Sequence, residues 1–108
     1  MSATRLAALD RAAASGRRIL APFLMSGFPT RERFRALLTA VAPHADALEI
    51  GLPHSDPIAD GPVLRDAART AITGGTTLAQ TLEDIAAARA SGLTLPVFLM
   101  SYVQPLTA

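Results

Sequence analysis

Glu49 is the odd residue near the C-terminal end of a strand-length run, Ala45 to Gly51. Strand side chains alternate, so Leu48 and Ile50 share one face while Ala47, Glu49 and Gly51 share the other. A carboxylate in a strand covered on both faces is costly unless it is paired or at work. In parallel α/β proteins the C-terminal strand ends are where sites gather. The pattern leaves an ion pair to an arginine, or exposure at the strand end, equally open. Asp60 follows eleven residues later in Ala59-Asp60-Gly61-Pro62. Spacing alone reads it as a cap before a helix-starting proline, and Asp56-Pro57 as a turn. Two carboxylates converging above one strand end would nonetheless suit acid–base work on a carbon skeleton. Tyr102 shares a predicted face with Phe98 and Met100, and the plain reading of that face is core. His44 and His54 read as solvated loop residues rather than ligands. No metal site is predicted.

The elements that must position these groups follow from periodicity and punctuation. A helix is predicted over 2–15, stopped by Gly16. Ile19 to Ser26 is an apolar run of strand length, closed by Gly27-Phe28-Pro29. Thr30 caps a helix in which Phe34, Leu37, Leu38 and Val41 recur at helical spacing, and Pro43 ends it. After the second strand and a proline-rich loop, Pro62 suits the first turn of a helix that stops at Gly74-Gly75. That glycine pair has neither the preceding strand nor the spacing of a phosphate loop. Thr77 and Gln80 have capping-box spacing for a helix to about Ala90, ended by Ser91-Gly92. Leu95 to Tyr102 is a third apolar strand. Continuously apolar strands separated by helices predict a parallel α/β sheet.

Composition removes several functional classes. The 108 residues carry ten basic and nine acidic side chains for a net charge of +1. That balance speaks against a nucleic-acid or membrane-surface protein. Every basic residue is arginine, so Schiff-base lysine chemistry is out, and without cysteine so are disulfides and thiolate nucleophiles. No run reaches the roughly 20 apolar residues of a membrane span. A cytoplasmic location is the expectation.

The run Glu49-Ile50-Gly51-Leu52-Pro53-His54-Ser55-Asp56-Pro57-Ile58-Ala59-Asp60-Gly61-Pro62 closely resembles the signature of the tryptophan synthase alpha chain family. Pro22-Phe23 with Ser26-Gly27-Phe28-Pro29 resembles the end of that family's first strand, and Leu99-Met100-Ser101-Tyr102 its third. The likeness runs from about residue 17 to 108. It departs at His54, where an aromatic is usual, at Arg65, where glutamine is common, and at Gln104, where asparagine is usual. The resemblance implies a (β/α)8 TIM barrel and a lyase of tryptophan biosynthesis. That enzyme cleaves indole-3-glycerol phosphate to indole and glyceraldehyde 3-phosphate by a retro-aldol reaction. Glu49 matches the acid–base residue, Asp60 the partner of the indole N–H, and Phe23, Leu64, Met100 and Tyr102 the lining of the indole pocket. It further implies a beta-chain partner in an alpha2-beta2 tetramer, met through Pro53, Asp56, Pro57 and Gln104. No metal or organic cofactor is implied for this chain, since pyridoxal phosphate belongs to the beta chain.

Such a barrel takes roughly 250 residues. The 108 residues are therefore expected to form one partial domain, the N-terminal part of a barrel with three parallel strands. Taken alone they are expected to lack lyase activity and to fold poorly as a monomer. The alternative function is a non-catalytic fragment able at most to dock on a beta chain.

Overall fold

The structure, a computed structural model, describes residues 3–54 and 61–102. Two of the helices start at a side-chain cap. Thr30 accepts a hydrogen bond from the Arg33 N–H to open α2 (Arg31–Val41), which follows α1 (Ala3–Ala14) and β1 (Phe23–Met25) in the chain. The helix ends one residue before a 3-10 turn at Ala42–His44 that contains Pro43. After β2 (Leu48–Gly51), Pro62 opens α3 (Pro62–Thr73), and Thr77 accepts from the Gln80 N–H to open α4 (Leu78–Ala90). The last described element is β3 (Val97–Met100). Gly75 and Gly92 take positive φ, 90° and 111°, where the chain leaves α3 and α4.

All three strands are shorter than the apolar runs that predict them. Ile19 to Pro22 is not strand, because Pro22 has no N–H for a ladder and Leu20 spends its own elsewhere. Their carbonyls still engage the neighbour: Leu20 O accepts from the Asp46 N–H at 2.8 Å and Pro22 O from the Glu49 N–H at 3.0 Å. The Leu20 N–H turns to the Asp46 carboxylate. Pro96 likewise delays the third strand until Val97, while its carbonyl accepts from the Leu48 N–H.

The sheet is parallel, in the order β1-β2-β3. Phe23 pairs with Glu49 and Glu49 with Phe98; Met25 pairs with Gly51 and Gly51 with Met100. In-register residues share a face. The opposite face carries Leu48 and Ile50, both fully buried with Phe34 and Leu38 of α2 and Ala88 of α4. This outer layer is where most of the described core lies. Helix α3 does not join it. Its Ala67, Ala68 and Ala71 pack on Met25 and Phe23, so it covers part of the face that carries Glu49. Phe98 and Met100 on that face stay 40% and 50% exposed.

Polar contacts lock α4 in place. The buried hydroxyls of Ser26 and Thr81 lie 2.6 Å apart. The Asp84 carboxylate, 2% exposed, accepts from Arg31 Nε at 3.0 Å and pairs with Arg35 at 3.6 Å. At the other end of the sheet, α1 crosses the N-terminal strand ends, where Arg5 and Leu9 share a crevice with Asp46, Leu95 and Pro96.

Candidate active site

Parallel pairing brings the C-terminal ends of all three strands to one edge of the sheet. A cavity of about 350 Å³ opens there beneath α3. Glu49, Phe23, Leu64, Met100 and Tyr102, each singled out from the sequence, all line it. Four of the five come from strands or their ends, and Leu64 comes from the first turn of α3. Sequence reasoning missed Met25, Gly51, Leu52 and Ser101, which also line the cavity. For Met25 and Gly51 the signal was available, since each sits two residues beyond Phe23 or Glu49 on the same face. Leu52 breaks the alternation because the chain has already left β2 there. Its N–H still donates to the Met100 carbonyl at 2.8 Å.

The Glu49 side chain is half-buried. Among the described residues it forms no ion pair, so a structural arginine does not account for it. Its surroundings are mostly apolar, with the Ser101 hydroxyl and the Tyr102 phenol the other side-chain polar groups of the lining. The Ser101 hydroxyl donates to the Tyr102 carbonyl at 2.7 Å. A carboxylate at the wall of an apolar, aromatic-lined cavity can exchange a proton with a flat, mostly apolar substrate while the walls exclude competing polar groups.

Asp60, the second candidate carboxylate, lies outside the described residues, as do Asp56, Pro57 and Gln104. Pro53 is buried. His54 is not the solvated loop residue its surroundings in the sequence predict. It is half-buried, and its ring lies 4.9 Å from that of Tyr102 at an interplanar angle of 36°. His54, just beyond β2, therefore meets the chain just beyond the third strand, a contact between distant positions that local spacing does not encode. His44 is exposed at the end of the 3-10 turn, as predicted. Among the described residues no group of three or more metal-ligating side chains converges, and no helix is long and apolar enough to cross a membrane.

The sequence profile of the tryptophan synthase alpha chain family matches residues 9–108. A tryptophan synthase alpha chain of Nitratidesulfovibrio vulgaris is 47% identical over 107 residues, covering 97% of this chain and 41% of the relative. One from Shouchella clausii is 45% identical over 86 residues, covering 79% of this chain and 32% of the relative. The crystal structure of tryptophan synthase subunit alpha from Legionella pneumophila superposes with a TM-score of 0.90 at 30% identity, over 99% of this chain and 41% of that one. A tryptophan synthase complex from Pyrococcus furiosus superposes with a TM-score of 0.77 at 31% identity, over 82% and 37%. The chain thus spans about a third to two fifths of the length of these relatives. The three parallel strands and four α-helices of the described residues are part of a (β/α)8 barrel.

Proposed function

Because the chain belongs to the tryptophan synthase alpha chain family, we propose that it carries the acid–base carboxylate and the indole pocket of an indole-3-glycerol phosphate lyase. The barrel has eight such strands and the described residues supply three, so the activity is proposed for a full-length alpha chain bearing this segment. The observation that carries the reading is Glu49, half-buried at the wall of a cavity shared with Phe23, Leu64, Met100 and Tyr102.

The reaction breaks the bond between indole C3 and the first glycerol carbon. Glu49 delivers a proton to C3, which leaves positive charge on the ring nitrogen. The Glu49 carboxylate left by that transfer takes the proton of the adjacent glycerol hydroxyl, which turns that carbon into an aldehyde. The electrons of the broken bond return to the ring and neutralise it, releasing indole and glyceraldehyde 3-phosphate. Asp60 is assigned to the indole N–H, where a fixed carboxylate stabilises the developing charge. The apolar walls hold the ring flat with C3 toward Glu49. The proposed steps draw on no metal or organic cofactor held by this chain.

In a full-length chain, Glu49→Gln keeps the shape and removes the proton transfer, a step worth about 10² to 10⁴ in rate. The expected result is loss of turnover by that factor with substrate affinity largely kept. Near-normal turnover would remove Glu49 from the role.

Among the solved relatives is a tryptophan synthase complex from Pyrococcus furiosus, and we extend the proposal to docking on a beta chain through the segment holding Pro53, Asp56 and Pro57, with Gln104. The competing reading is a segment that docks without catalysis. It is distinguished by beta-chain binding with no indole release from the full-length protein.

A further inference from the structure

We propose that Gly51 is a positioning residue for the aromatic wall of the cavity: it lets the tip of the Phe23 ring sit close against β2 and so sets the room left beside Glu49. For its substrate the inference rests on the lyase reading above. A Cβ placed on Gly51 would stand 2.3 Å from Phe23 Cζ and 2.8 Å from Cε2. Gly51 is not among the glycines with positive φ, so backbone conformation does not require a glycine there. Room for the ring does. The register explains the approach. Phe23 pairs with Glu49, and Gly51 lies two residues further along the same face. Strand side chains lean along the strand direction, which carries the Phe23 ring over the missing Cβ.

The ring has little choice of retreat. Phe23 packs on one side against the cluster of Met25, Ala67, Ala68 and Ala71 under α3, and it lines the cavity. To regain ordinary contact distance from a new methyl, the ring must move by more than about 1 Å. That shift takes it into the space where a flat bicyclic ring would stack on Phe23 within reach of Glu49. Gly51 thus acts through Phe23, and its effect falls on binding of the aromatic half of the substrate before it falls on proton transfer.

The test uses a full-length alpha chain bearing this segment, with indole itself as the probe. Calorimetric affinity for indole is measured beside KM and kcat for indole-3-glycerol phosphate. Gly51→Ala is expected to weaken indole binding and raise KM by at least about tenfold, with kcat changed much less. Adding Phe23→Leu removes the clashing ring, so the double variant is expected to bind indole more tightly than Gly51→Ala alone. Unchanged indole affinity in Gly51→Ala overturns the proposal, and so does a double variant that binds no better than the single one. If Gly51→Ala does not fold, refolding of the double variant with indole bound supports the contact, and continued failure overturns it. A wild-type chain that binds no indole overturns the proposal too. One that binds indole without cleaving indole-3-glycerol phosphate overturns only the lyase reading, because the comparison between variants is read on indole alone.

Discussion

Glu49 faces the cavity, not α2 and α4, through the two-residue alternation of β2 that buries Leu48 and Ile50 on the other side. The same alternation puts Gly51 beside it and makes a Cβ there collide with Phe23. Asp60 is open to a clean chemical test. Asparagine caps a helix about as well as aspartate, so a capping role predicts that Asp60→Asn in a full-length chain keeps its turnover. A role in holding the indole N–H predicts a large loss of turnover with little loss of thermal stability, and that is the expected result. Steady-state rates paired with a melting curve separate the two.

The contacts that tie elements together carry their own predictions. Asp84 is nearly inaccessible and joins α4 to two arginines of α2, whereas Glu83 meets Arg31 with its own side chain 68% exposed. A buried carboxylate with two cationic partners matters far more than an exposed pair. In the full-length chain Asp84→Ala should therefore lower the denaturation midpoint well beyond Glu83→Ala, which should leave it nearly unchanged. Asp46 gives a pH dependence. The Arg17 guanidinium at 2.6 Å, and next the Leu20 N–H, hold its carboxyl below the ordinary carboxylate range. The unfolded chain then binds this proton more readily than the folded one, so the contribution is present above about pH 4 and is lost as pH falls through the lowered value. Asp46→Asn should flatten the acid limb of a stability-against-pH curve while leaving its shape above pH 6 to about 8 unaltered. An unchanged acid limb would show that other carboxylates govern it.

For the assembled segment, the decisive feature is the asymmetry between the two sheet faces. One is sealed by α2 and α4, while the other has α3 near β1 and leaves Phe98 and Met100 substantially exposed. Among the described residues β1 and β3 also have one strand neighbour each. Exposed apolar strand surface beside open edges favours association between chains. A polypeptide of residues 1–108 produced by itself is expected to elute larger than a monomer and to release no indole. Size-exclusion chromatography with an indole-release assay checks both, and a compact monomer would contradict the first.

Element type and order were readable from the amino-acid sequence, because they depend on local interactions. Thr30 and Thr77 cap where their hydroxyls meet a nearby N–H, Pro62 opens a helix whose first N–H would be unpaired, and apolar continuity marks the strands. The face of Glu49 was readable for the same reason. Strand length was not, since Pro22 and Pro96 contribute carbonyls to a neighbour without joining the ladder, and that depends on which chain lies alongside. The packing of α3 on the Phe23 face, the His54–Tyr102 contact and the need for glycine at 51 were hidden too. Each brings together side chains from different elements, and only the three-dimensional packing of β1, β2, α3 and the end of β3 sets the distance between them.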